Sequence, residues 1–129
     1  MHQAIITLAC PVSNDWGIGG GHLSRLLSIY QVLENEPKYN LQFIFEDSKL
    51  SRQLINRFSI EERKINFLSS DDFWSSNNVS WLALLKETKL LIIDSPVKIP
   101  AISSISKFCH KSIQFIYIET RQDCFNSTQ

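Results

Sequence analysis

The chain has 129 residues, the length of one ordinary domain, and a formal net charge of zero, with 13 Lys and Arg against 13 Asp and Glu. Without a basic excess there is no electrostatic footprint for nucleic acid, and no apolar run approaches the roughly 20 residues of a membrane span. The opening MHQAIITLACPV lacks the basic n-region of a signal peptide. The three cysteines, Cys10, Cys109 and Cys124, show no paired spacing. These features predict a cytoplasmic protein with reduced thiols and no zinc site.

In chain order, AIITLA (4–9) is a continuous apolar run of strand length, as in a sheet buried on both faces. HLSRLLSIYQVLENE (22–36) sets Leu23, Leu26, Leu27, Tyr30 and Leu33 at helical spacing and stops before Pro37. LQFIFE (41–46) predicts a second strand, SKLSRQLINRF (48–58) a second helix, and KINFLS (64–69) a third strand. The polar stretch SDDFWSSNN is expected as a loop before a helix over VSWLALLKE (79–87). KLLIID (89–94) is the clearest buried strand. PAISSISKFCHK (100–111) predicts a helix with Pro100 in its first turn, and SIQFIYIE (112–119) a last strand. TRQDCFNSTQ (120–129) reads as a polar tail.

Strands alternating with helices imply right-handed crossovers and a parallel sheet. The expected fold is therefore α/β: one Rossmann-like domain over residues 1–119, about five parallel strands in the order 3-2-1-4-5, and helices on both faces. In such sheets ligands occupy the crevice beyond the carboxyl ends of the strands, where the order reverses. Here that is the gap between strands one and four, bordered by CPVSNDWGIGGG and DSPVKI.

All four glycines (Gly17, Gly19, Gly20, Gly21) fall in that first loop, followed by His22 and Arg25. Consecutive glycines admit a ligand without Cβ obstruction. The helix that follows presents unpaired N–H groups and roughly half a unit of positive charge at its start. That field disfavours imidazolium, so His22 stands where a neutral general base is wanted. The same residues also fit a tight strand-to-helix corner and a structural histidine. A dinucleotide-binding reading draws on Gly17, Gly19 and the acids Glu46 and Asp47 at the end of strand two. Its third glycine position is His22, however, and PVSNDW lengthens the loop beyond the fingerprint.

The stretch Gly19-Gly20-Gly21-His22-Leu23-Ser24-Arg25, with Lys89 to Asp94 at strand four, resembles the N-terminal domain of GT-B-fold nucleotide-sugar enzymes. The nearest likeness is to the UDP-sugar hydrolases of pseudaminic acid biosynthesis and to related predicted glycosyltransferases. The resemblance implies the acceptor half of a carbohydrate-biosynthetic enzyme acting on a UDP-linked sugar, with His22 activating the nucleophile. It places Gly19, Gly20, Gly21, Arg25 and Asp94 around the substrate; Asp15 is a candidate by its place near the same rim, and nothing in the sequence calls for a cofactor or a metal. Cys10 to Asp15 stands where that family has Arg-x-Asp, and Ser95-Pro96-Val97 stands where it has His-Tyr-Gly. Both differences alter the acceptor side. A donor-binding second domain is not expected within the chain, so the resemblance also implies a separate donor-binding subunit, or a homodimer across the exposed face. The rival expectation is a non-catalytic Rossmann-like domain that docks a partner.

Other residues carry less. Asp94 could orient His22, contact a sugar hydroxyl or cap a loop. Trp74 and Trp81 are expected to pack core or shield a sheet edge. Asp71-Asp72 is expected to be solvated, and His2 and His110 lack ligand spacing.

Overall fold

The computed structural model describes residues 4–11, 20–95, 98–109 and 113–118. Five strands form one fully parallel sheet: β1 (Ala4–Cys10), β2 (Tyr39–Glu46), β3 (Ile65–Leu68), β4 (Thr88–Asp94) and β5 (Gln114–Ile118). Their spatial order is β3-β2-β1-β4-β5. Among the described residues five helices accompany them: α1 (Gly20–Leu33), α2 (Lys49–Ile55), α3 (Ser70–Trp74), α4 (Val79–Leu84) and α5 (Pro100–Cys109). A 3-10 turn, Glu62–Lys64, leads into β3.

Side-chain alternation divides the core into two layers. Ile6, Leu8 and Cys10 of β1, with Leu41, Phe43 and Phe45 of β2, meet Leu23, Leu26, Leu27 and Tyr30 of α1 and Ile55 of α2. On the opposite face Ala9, Ile44, Leu91 and Ile93 meet Phe73, Trp81, Leu85, Ala101 and Ile105 from the α3–α4–α5 side. Helices thus cover both faces, and the fold is the Rossmann-like domain that the alternating pattern predicts.

Several boundaries differ from the sequence reading. The α1 helix starts at Gly20, two residues early, and ends at Leu33. The α2 helix is only Lys49–Ile55. Its start is closed by reciprocal bonds: Ser51 N–H donates to Ser48 Oγ (2.9 Å) and Ser48 N–H to Ser51 Oγ (3.0 Å), a capping box with serine in the reaching role. The expected SDDFWSSNN loop contains α3. Ser69 caps it by accepting from Asp72 N–H, and Phe73 anchors it by complete burial. Asp71 and Asp72 lie exposed in its first turn, where the helix dipole favours them. Trp81 is fully buried and Trp74 partly so, as expected of core residues.

A buried polar knot ties three strands together. Thr7 and Thr88 share a hydroxyl hydrogen bond of 2.7 Å, and Gln42 Nε2 donates to Thr7 Oγ1 (2.7 Å) and to the Leu84 carbonyl (3.0 Å). The β1–β4 register shifts so that Ile5 pairs with Thr88 but Ile6 with Leu90. The shift passes over exposed Lys89 and turns Thr88 towards Thr7. With these polar groups paired, the knot avoids the desolvation penalty of buried orphans.

Candidate functional site

The strand order reverses between β1 and β4, so the carboxyl ends at Cys10 and Asp94 border the crevice where such sheets take ligands. Asp94, the last residue of β4, is on the same face as Ile92 and therefore looks towards α1. The buried leucines of α1 fix that helix against the sheet. His22 and Arg25, one turn apart on α1, both reach the Asp94 carboxylate.

The contacts are specific. Arg25 Nε donates to Asp94 Oδ2 at 2.5 Å and Arg25 Nη2 to Oδ1 at 2.7 Å, a two-pronged guanidinium–carboxylate pair. His22 Nδ1 lies 2.7 Å from the same Oδ1. A carboxylate oxygen only accepts, and two acceptors would repel at that distance, so Nδ1 carries the proton. In the neutral ring, Nε2 then holds the lone pair. Arg25 Nη2 is also 3.3 Å from Nδ1. With both atoms as donors, that approach is proximity rather than a hydrogen bond. Asp94 has no solvent exposure, whereas the side chains of His22 and Arg25 are 17% and 44% exposed. A buried carboxylate is thus balanced by a cation that keeps one side in water, which limits the desolvation cost. The bond to Asp94 also raises the already high pKa of Arg25.

Cys10 lies near this cluster but is not a nucleophile. It is wholly buried, and burial, with the Asp94 charge adding to it, pushes its thiol far above the ordinary range. Its Sγ donates weakly to the Pro11 carbonyl at 3.3 Å.

The structure therefore brings His22, Arg25 and Asp94 together. Gly20 and Gly21 open the helix that carries them. Gly19 and Asp15 lie outside the described residues, so the full substrate set of the sequence reading is only partly located. His2 and His110 lie outside them as well.

Sequence reasoning missed a second acidic centre. Glu46 ends β2 on the face opposite Asp94, with 1% exposure. Its Oε2 accepts from Ser70 Oγ (2.7 Å) and Trp74 Nε1 (2.8 Å), while its buried Oε1 has no partner. The alternation Ile44, Phe45, Glu46 was enough to place it on the inner face. Its partners come from α3, in a stretch that the sequence pattern predicts as loop. A dinucleotide enzyme needs that acid open to a ribose, and here the carboxyl is enclosed. Asp47 is exposed and pairs instead with Arg52 at 2.7 Å, which lowers its pKa. Among the described residues, no three His, Cys, Asp or Glu side chains form a metal-binding group, and no helix is long and apolar enough to cross a membrane.

Fold and site together define a class: a Rossmann-like α/β domain with a His–Asp–Arg cluster at its topological switch point. No protein-family model, no curated protein and no solved structure matches the chain.

Proposed function

We propose that the chain is the acceptor-side domain of a nucleotide-sugar-processing enzyme, a UDP-sugar hydrolase or glycosyltransferase, with His22 as its general base. The observation that carries this reading is the His22 Nδ1–Asp94 Oδ1 bond at the β1–β4 crevice. It fixes the tautomer and turns Nε2 into the proton acceptor. In the reaction, Nε2 takes a proton from water or a sugar hydroxyl as that oxygen bonds to the anomeric carbon or its phosphate. The bond to the nucleotide leaving group breaks, and Asp94 stabilises the imidazolium formed. Gly20 and Gly21 leave room for the substrate beside the start of α1. A donor-binding domain or subunit would complete the cleft, and the site residues require neither metal nor organic cofactor for this step. A cytoplasmic setting, where nucleotide sugars are made, fits the reading.

The test mixes the protein with a candidate donor-binding partner and a panel of UDP-sugars and follows release of UDP or UMP. His22→Ala is expected to lose about 10²–10⁴-fold of the rate. Unchanged release in His22→Ala removes the base assignment.

A partner-docking reading draws on a different observation. Ile116 of edge strand β5 is 48% exposed and stands beside buried Ile92, on the α1 face of the sheet. Self-association abolished by Ile116→Lys, measured by light scattering, would favour that reading.

A further inference from the structure

The sequence pattern treats Arg25 as a substrate contact. The geometry points elsewhere. We propose that Arg25 is a positioning residue, whose guanidinium clamps the Asp94 carboxylate so that Oδ1 holds the His22 proton on Nδ1 and leaves Nε2 as the proton acceptor. This rests on the reading of His22 as a base.

Three observations carry it. Both prongs of the guanidinium end on Asp94, one on each oxygen, and so fix the plane of the carboxylate. The oxygen bound by Nη2 is the one that His22 Nδ1 meets. Finally, Asp94 is wholly buried, so in the intact protein its direction is set by these side chains and not by bulk water. Without the clamp the carboxylate is free to turn about its own bond, and Oδ1 no longer has a defined place. Free imidazole favours the proton on Nε2, the atom that must be bare for base catalysis. Holding the opposite tautomer therefore requires an acceptor fixed in direction as well as near. Lysine cannot replace the clamp, because one ammonium cannot span both oxygens in parallel.

The experiment needs no substrate. Histidine side chains are labelled with ¹⁵N, and the His22 signals are assigned by their loss in His22→Ala. Tautomers are then compared in the wild type, Arg25→Met, Arg25→Lys and Asp94→Ala, with the backbone amide spectrum as the check of folding. The wild type is expected to show an unprotonated Nε2. Arg25→Met and Arg25→Lys are expected to lose that signal as the proton moves to Nε2. An unchanged tautomer in either folded Arg25 variant overturns the proposal, and Arg25→Lys, the smaller change, keeps the test readable if Arg25→Met does not fold. Asp94→Ala, which leaves Nδ1 without this side-chain acceptor, separates the two layers of argument. If it moves the proton and the Arg25 variants do not, only the clamp is wrong. If it too leaves the proton in place, the His22–Asp94 basis of the proposed function fails as well.

Discussion

Two buried carboxylates end two strands of the same sheet, and they are handled in opposite ways. Asp94, at the end of β4, faces α1 and receives a guanidinium on both oxygens and an imidazole on one. Glu46, at the end of β2, faces α3, has only a hydroxyl and an indole N–H on one oxygen, and leaves the other bare. The first is compensated in charge and fixed in direction. The second has neutral donors and no cation. Burial of an acid at a strand end does not by itself mark a reactive site. What distinguishes Asp94 is that it holds the His22 ring at the mouth of the crevice.

Mutations sharpen the contrast. The largest effect is expected from Arg25→Met, which strands the buried Asp94 charge with a single partner. The loss should be about 3 kcal/mol, at the low end for breaking a buried pair because Arg25 itself is half exposed. Next comes the same carboxyl-to-amide change applied to both acids, read by urea denaturation. Asp94→Asn should cost about 2 kcal/mol, since it weakens the hydrogen bonds from the Arg25 cation. Glu46→Gln should stay within about 1 kcal/mol of the wild type, because the amide oxygen can keep both donors of Oε2 and no cation loses its partner. Equal losses at the two positions would erase the distinction.

The smallest effect concerns Cys10, beside Asp94. Because its folded pKa is raised, the native protein keeps the thiol proton at pH values where the unfolded chain gives it up. The associated stability is complete below the ordinary thiol range and falls as pH rises above it. Alkylation mapped to Cys10 by mass spectrometry should therefore stay negligible from pH 7 to 9 (the range about the usual thiol pKa) while the fold persists. Rapid modification of folded protein would contradict the burial argument.

Much of this was legible in the sequence. Apolar runs at 4–9, 41–46 and 89–94 fix three buried strands, and the leucine spacing after His22 fixes the face that α1 turns to the sheet. The crossover rule then yields the strand order, and with it the crevice that joins α1 to β4. The pairing of Arg25 with Asp94 was not legible, because 69 residues separate them and their contact depends on how far α1 lies over the end of β4. The environment of Glu46 was hidden for a different reason. The helix α3 that supplies its donors is five residues long, too short for a periodic signal, and owes its place to buried Phe73.

The central claim is that His22 is held as a base by Asp94. The most direct measurement is the ¹⁵N spectrum of the His22 imidazole in the unmodified protein near neutral pH. The proton on Nδ1 and a bare Nε2 is the predicted result. A proton on Nε2, with Nδ1 bare beside the carboxylate, would contradict it.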